Sequence, residues 1–428
     1  MHKRPTPASA HVPAPTRAAR PEPAAPTGAH DPEGVPADAP GDRAYLVVHL
    51  VEALDGPSLA GGLIDLIRHL PAGRYRHAIL CLRERGEYQG ELRAHGVEIV
   101  NLHRRDGRDP LFYLRMFRAL RTLRPDLIHT RDRKGLPAQL VAALAGVRLR
   151  VHAEHGDGST EDQAGLGARI LRRLLCPLID HFIAASSGLE QWLIEAIGAE
   201  PARVSQIAHG VDSVQFHPRL GPAAAVGPAG FMQDGAFVIG SSGRIDEASG
   251  HAVLVEAFLR LIASPHPAHA RLRLLILGDG PARAHCQAML NRAGAAARAW
   301  LPGARADLPQ LLRAMDLFVL PASTQDRSSA ILQAMASGLP VVAAADGTNT
   351  ELVHSGFTGI LVPPHSAELL ASAIADYCRI PEMATRHGAR ARSQVIARHS
   401  MPAMARDYLA VYDVLLRREG KPIDESES

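Results

Sequence analysis

The stretch STQDRSSAILQAMASGLPVVAA, residues 323–344, contains a loop, a helix and a buried strand in that order. Gly338 and Pro340 stop the helix, and the apolar run Val341 to Ala345 is short and follows the stop signals, as a buried strand does. A loop that opens a helix beside a parallel strand leaves backbone N–H groups pointing out of the sheet edge, where a phosphate can rest. The same strand, turn and helix order repeats on both sides of this segment, and that repetition decides the fold.

Upstream, the strand signals are AYLVVHL (44–50), HAILCL (77–82), EIVNL (98–102), DLIHT (126–130) and RLRVHAEHG (148–156). Helical stretches such as 111–124 and 137–146 separate most of them. A Pro- and Gly-rich break runs from about 217 to 235, and a second series follows: AFVIGSSGR (236–244), RLRLLILGDG (271–280), DLFVLP (316–321), PVVAAA (340–345) and GILVPP (359–364). Alternation of this kind predicts parallel, doubly wound sheets, here two of them. The expected organisation is a tail over 1–43, one Rossmann-like domain over 44–216, a linker over 217–235, a second such domain over 236–401, a terminal helix over 402–418 and a flexible tail over 419–428.

Ten of the 32 prolines lie in residues 1–43, with no apolar periodicity, so that tail reads as disordered. It has no apolar core of the kind a secretory signal needs, and no later run reaches the roughly 20 apolar residues that span a bilayer. The expectation is therefore a cytoplasmic protein. The four cysteines, Cys81, Cys176, Cys286 and Cys378, show neither pairing nor metal-ligand spacing, so neither a disulfide framework nor a metal site is expected. A net charge of +3 over 428 residues argues against nucleic acid as a partner.

The segment 323–344 resembles the donor motif of glycosyltransferase family 4, two glutamates eight positions apart followed by A-x-G-x-P-V-V. Gln325 and Gln333 stand where the family has those glutamates. Further matches support the resemblance. GSSGR with the following residues, 240–254, resembles G-R-x4-K-G-x3-L: Arg244, Gly250 and Leu254 fall on the pattern, and Ser249 falls on the lysine. GDGP (278–281), PGARADLPQLLRAMDLFVLP (302–321) and ADGTNTELVHSGFTGILVPP (345–364) match as well, with Thr348 in place of a second glycine. In the first domain Pro57 and Ser58 replace a Gly-Gly pair and Ala60 a Glu, whereas IHTRD (128–132) and HAEHG (152–156) stay close. The flavour of RYRHAILCL, IHTRD and RVHAEHG is that of the subgroup associated with exosortase and exopolysaccharide loci. The resemblance covers about residues 44 to 418.

The resemblance implies the GT-B architecture, two doubly wound Rossmann-like domains facing a central cleft, and a terminal helix that crosses back to the first domain. It implies a retaining sugar transferase with no cofactor, using a UDP- or GDP-linked donor and a glycan or lipid-linked acceptor. The implied catalytic positions are His155, Arg244, Ser249 and Gln325. The candidate donor-binding positions are Arg244, Ser249, Gln325, Arg327, Ser328, Ser329 and Gln333; Arg327 stands where the family has an apolar residue and is either a replacement cation for the missing lysine or a solvent-facing arginine. Without that lysine and both glutamates, transfer is expected to be weakened or altered. The alternative is a catalytically silent homologue that binds a partner glycosyltransferase or a glycan; a nucleotide-sugar epimerase on the same architecture ranks behind both. LRMFRALRTLR (114–124) and ARILRRLL (168–175) read first as helices that pack leucines on their sheet and keep arginines in water. Their basic, amphipathic character also implies peripheral contact with the inner membrane face.

Overall fold

The computed structural model describes residues 44–54, 59–83, 89–105, 109–131, 135–154, 165–233, 235–321 and 328–421; the expected disordered tail lies outside the described residues. The first half of the chain alternates β1 (Tyr45–Val51), α1 (Leu59–His69), β2 (Tyr75–Cys81), α2 (Gln89–Ala94), β3 (Glu98–Asn101), α3 (Pro110–Leu123), β4 (Leu127–Arg131), α4 (Ala138–Leu144), β5 (Leu149–Glu154), α5 (Gly165–Leu175), β6 (His181–Ala184), α6 (Ser187–Trp192) and β7 (Val204–Gln206). These strands form one parallel sheet in the order β3-β2-β1-β4-β5-β6-β7.

Both faces of that sheet are covered, which is why its strands are nearly continuous apolar runs rather than alternating ones. Leu46, Val48, Leu50, Leu80 and Ile128 face Phe112, Met116 and Leu120 of α3. The start of α3 is fixed locally: the Asp109 carboxylate accepts the Phe112 N–H at 3.1 Å, and Pro110 occupies the first turn, where no N–H is needed.

The second half runs β8 (Phe237–Ser242), α7 (His251–Ala263), β9 (Leu272–Leu277), α8 (Arg283–Arg292), β10 (Ala299–Gly303), α9 (Leu308–Arg313), β11 (Leu317–Leu320), α10 (Ser328–Ala336), β12 (Val341–Ala344), α11 (Asn349–Leu352), β13 (Gly359–Val362), α12 (Ala367–Arg379), α13 (Pro381–Arg398) and α14 (Met401–Arg418). Its strands make a second parallel sheet, β10-β9-β8-β11-β12-β13. In both sheets the chain winds outward in opposite directions from a central pair, β1 and β4 in one, β8 and β11 in the other. Crevices outside the carboxyl ends of such pairs are where open α/β sheets bind ligands.

Helix α14 belongs in packing to the first domain. Met404, Tyr408, Val411, Tyr412 and Leu415 bury against Val47, Leu66, Leu127, Leu149 and Val151. Polar contacts fix its rotation: the Tyr412 hydroxyl meets His129 Nδ1 at 2.7 Å, and Asp413 pairs with Arg74 at 2.9 Å while accepting the Tyr75 hydroxyl. Where the chain turns back, the Val211 N–H donates to His399 O at 2.8 Å and the Met401 N–H to Val211 O at 3.2 Å, joining the end of the first domain to the start of α14.

Candidate active site

The β8–α7 turn carries Arg244 and Ser249, two of the positions to which the resemblance assigns a donor role. Its backbone is held by a second turn, the one after β9: the Ile245 N–H donates to Asp279 O at 3.0 Å and the Ala282 N–H to Ile245 O at 3.0 Å. The two turns touch so closely that a side chain between them has no space. A Cβ on Gly278, at φ +130°, would stand 1.9 Å from Gly243 O, and one on Gly280 would stand 2.2 Å from Ile245 O. The GDG at 278–280 is therefore a spacing requirement of the Arg244 turn.

Within this turn, Arg244 and Ser249 take opposite directions. The Arg244 side chain is 72% exposed, with Nε 3.4 Å from Asp246 Oδ2. Ser249 is fully buried. Its hydroxyl donates to Asp246 O at 2.5 Å and accepts the Asp246 N–H at 3.1 Å; the second of these, with the Asp246 side chain accepting the Ser249 N–H, makes a capping box. His251 Nδ1 lies 2.7 Å from the Ser249 hydroxyl oxygen, and Nε2 lies 3.2 Å from Ser241 Oγ. A serine has a single proton to give, and Asp246 O takes it, so His251 Nδ1 must carry the hydrogen shared with Ser249. A Ser–His–Ser chain thus ties the end of β8 to the first turn of α7. Ser249 bonds within its own turn, because a short side chain at a 3-10 turn lies within reach of its own backbone.

Ser328, Ser329 and Gln333 share helix α10. Gln333 is half-buried, and its side-chain amide makes no hydrogen bond among the described residues; the backbone carbonyl accepts from the Ser337 hydroxyl at 2.9 Å. Gln325 and Arg327, together with Asp326, lie outside the described residues, as do His155, Pro57 and Ser58.

At the next loop the backbone accommodates Thr348 in place of the second glycine without strain. Positive φ is needed at Gly347, +49°, whereas Thr348 sits at φ −64°, ψ −17°, ordinary helical backbone for a β-branched residue. Three residues on, Glu351 joins the two domains. Its carboxylate accepts the Ser187 hydroxyl at 2.7 Å, the Ser187 N–H at 3.3 Å and the Gln206 amide at 2.9 Å. Nothing in the residue types announces that contact, which spans 164 and 145 positions of sequence.

On the first domain's side, Glu154 ends β5 inside a buried charged network. Arg172 donates to it through Nε at 2.8 Å and Nη2 at 3.2 Å, and His152 Nε2 lies 3.1 Å from the same carboxylate. Burial alone would raise the Glu154 carboxyl, but the His152 and Arg172 contacts outweigh it and hold it down at about 2. Arg172 also lies 5.4 Å from the Trp192 ring centre. This overturns the simple expectation for α5. Arg172 is 1% exposed, while Leu166 and Leu174 are 76% and 71% exposed. The helix turns an arginine inward because Glu154 waits there, and the apolar stripe Leu166, Ile170 and Leu174 is left on the outside.

Among the described residues no group of three or more His, Cys, Asp or Glu side chains is arranged to hold a metal, the four cysteines are free thiols, and no helix is long and apolar enough to cross a membrane.

Comparison with known proteins agrees with this geometry. Residues 62–215 match the glycosyltransferase family 4 domain and residues 236–379 match the glycosyl transferases group 1 domain. The chain thus carries two glycosyltransferase domains in the GT-B arrangement. Its sequence is 30% identical over 278 residues to the D-inositol 3-phosphate glycosyltransferase of Kineococcus radiotolerans, covering 61% of this chain and 62% of that one. The match therefore spans a little under two thirds of that relative's length. Over 289 residues it is 29% identical to the lipopolysaccharide core biosynthesis mannosyltransferase LpcC of Rhizobium leguminosarum, covering 63% and 80%. Among solved structures, HepE of Anabaena in complex with UDP superposes with a TM-score of 0.69 at 20% identity, covering 87% of this chain and 100% of that chain.

Proposed function

We propose that this chain transfers a sugar, with retention of configuration, from a UDP- or GDP-linked donor to a glycan or lipid-linked acceptor in exopolysaccharide or envelope glycan assembly. The observation that carries this reading is the Arg244 turn. It stands at the carboxyl end of β8, on the crevice side of the β8/β11 pair, with its guanidinium exposed in the domain that matches group 1 transferases. Arg244 takes the donor diphosphate, Gln333 offers its uncommitted amide to the ribose hydroxyls, and Ser328 and Ser329 open the helix beside the phosphates. His155, Gln325 and Arg327, which lie outside the described residues, complete the set on the strength of the resemblance alone. Solved relatives crystallised with UDP and UDP-glucose support a nucleotide-sugar donor, and relatives named for lipopolysaccharide core and diphosphoundecaprenol-linked acceptors support the acceptor class.

Transfer is weaker than a site with the lysine of the family pattern at position 249 would give. The hydroxyl there is bonded within its own turn, so one cation is missing where leaving-group charge develops. The outward apolar stripe of α5, next to Arg169 and Arg173, and the exposed Leu111, Tyr113 and Leu114 of α3 suit peripheral contact with an anionic membrane face. A partner glycosyltransferase acting on the same acceptor fits that location.

The test is calorimetric titration with UDP and with GDP, using the unmodified chain and Arg244→Gln. One nucleotide should bind, and the substitution should weaken it by about ten- to hundredfold, the worth of one charge-assisted hydrogen bond set. Absence of binding by either nucleotide rejects the transferase reading.

A further inference from the structure

The first domain holds a second arginine whose surroundings are unlike those of Arg172. Arg131 is the last residue of β4, and Thr130 before it stands in register with Leu50 of β1. It therefore sits at the crevice where β1 and β4 send the chain in opposite directions, the place where sheets of this kind receive ligands. Its neighbour on the same strand face, His129, points at Tyr412, and the Arg131 guanidinium carbon lies 5.9 Å from the ring centre of Tyr408, one turn earlier on α14.

A ring over the face of a guanidinium leaves its in-plane N–H groups unused. In Arg131 those groups are stranded: Nε and Nη2 are buried and have no hydrogen-bond partner among the described residues, and no carboxylate there pairs with the side chain. Nε and Nη2 are the same two atoms with which Arg172 grips Glu154. One arginine thus has its carboxylate, and the other presents the same fork without one. Among the described residues, what stands beside it is electropositive or neutral. His49 is fully buried with Nδ1 unpaired among the described residues, and burial, then His77, then Arg131 push its imidazole well below the usual histidine range. A guanidinium with two buried, unpaired nitrogens is unfavourable unless an oxyanion completes it.

We propose that Arg131 is the recognition residue for an oxyanion, a phosphate or carboxylate, on the acceptor, which docks at the β1/β4 crevice facing the donor turn. This rests on the transferase reading for the word acceptor, but the anion site itself does not depend on it. The fork geometry matches two oxygens of one anionic group, and the shielding of its edge from bulk water strengthens the pairing. Three sources share this chemistry: a phosphorylated sugar, a uronic acid and the diphosphate headgroup of a lipid carrier.

The full chain is first saturated with UDP, which occupies the donor side. Hexose 6-phosphate, glucuronate and farnesyl diphosphate are then titrated separately, with the uncharged hexose and farnesol as controls. At least one anion should bind, and the one that binds identifies the source. Arg131→Gln should weaken it by about ten- to hundredfold, while Arg131→Lys, which keeps the charge and loses the fork, falls between. UDP affinity and the thermal midpoint should match the unmodified chain in both variants. If Arg131→Gln fails to fold, the lysine variant alone carries the test through a several-fold loss. Failure of all three anions to bind, or equal affinity in the variants, overturns the proposal. If UDP does not bind, the anion titrations run without it still read Arg131, so failure of the transferase reading and failure of this site are separable.

Discussion

Replacing Arg172 with methionine strips Glu154 of two of its contacts and keeps the packing volume. Glu154 and Arg172 are each 1% exposed, with contacts of 2.8 and 3.2 Å between them. Removing one partner of such a buried pair costs about 3–5 kcal/mol, because the remaining charge stays out of water. His152 at 3.1 Å still compensates part of that charge, so the lower end, about 3 kcal/mol, is expected. The double variant Glu154→Gln, Arg172→Met should recover most of the loss, since the unpaired charge is then gone. Urea unfolding followed by tryptophan fluorescence measures this locally. The chain has two tryptophans, and Trp192 lies against Arg172, so a Trp300→Phe background reports the first domain alone. A fall in midpoint of about 1 M is expected for the single variant. A fall below about 0.3 M, or a double variant no better than Arg172→Met, would refute the view that this pair anchors the end of β5 to α5.

Two further outcomes follow from other contacts. The His77 imidazole is pushed down to about 4 by burial, against 6.5 when unfolded, so its protonation opposes the folded state. Stability is full above pH 6.5 and should drop by about 3 kcal/mol as the pH falls through 4, with His49 acting in the same direction; His77→Leu should flatten that slope in pH-dependent unfolding, and an unchanged slope would contradict the assignment. Glu351→Ala removes three acceptor contacts between the domains at an exposed position, worth about 1 kcal/mol together, so the balance of open and closed clefts should move about fivefold; small-angle scattering that shows no expansion would sink the idea that Glu351 latches the cleft.

Part of the layout around Arg244 was legible in the sequence alone. Arg244 was readable because a strand ending in GSSGR must leave its sheet at the carboxyl edge, and GDG at 278–280 because only glycine lets two turns approach to backbone contact. The direction of Ser249 was not, since a serine at a helix start can face a ligand or its own backbone, and the capping box with His251 settles it. His251 itself carried no signal; a histidine after Gly250 reads as surface until Ser241 arrives from β8.

What the sequence determined by itself is the pair of doubly wound parallel sheets, because apolar period and turn chemistry act over neighbouring residues and repeat along the whole chain. Tertiary structure alone decided which polar groups meet. Arg172 turns inward while Leu166 and Leu174 stay out, since a carboxylate 18 positions earlier is buried opposite it. Glu351 finds Ser187 and Gln206 only once two domains face each other, and Arg131 acquires its tyrosine only when α14 returns across β4. Side-chain direction at such places is set by the partner's position in space, which no local pattern encodes.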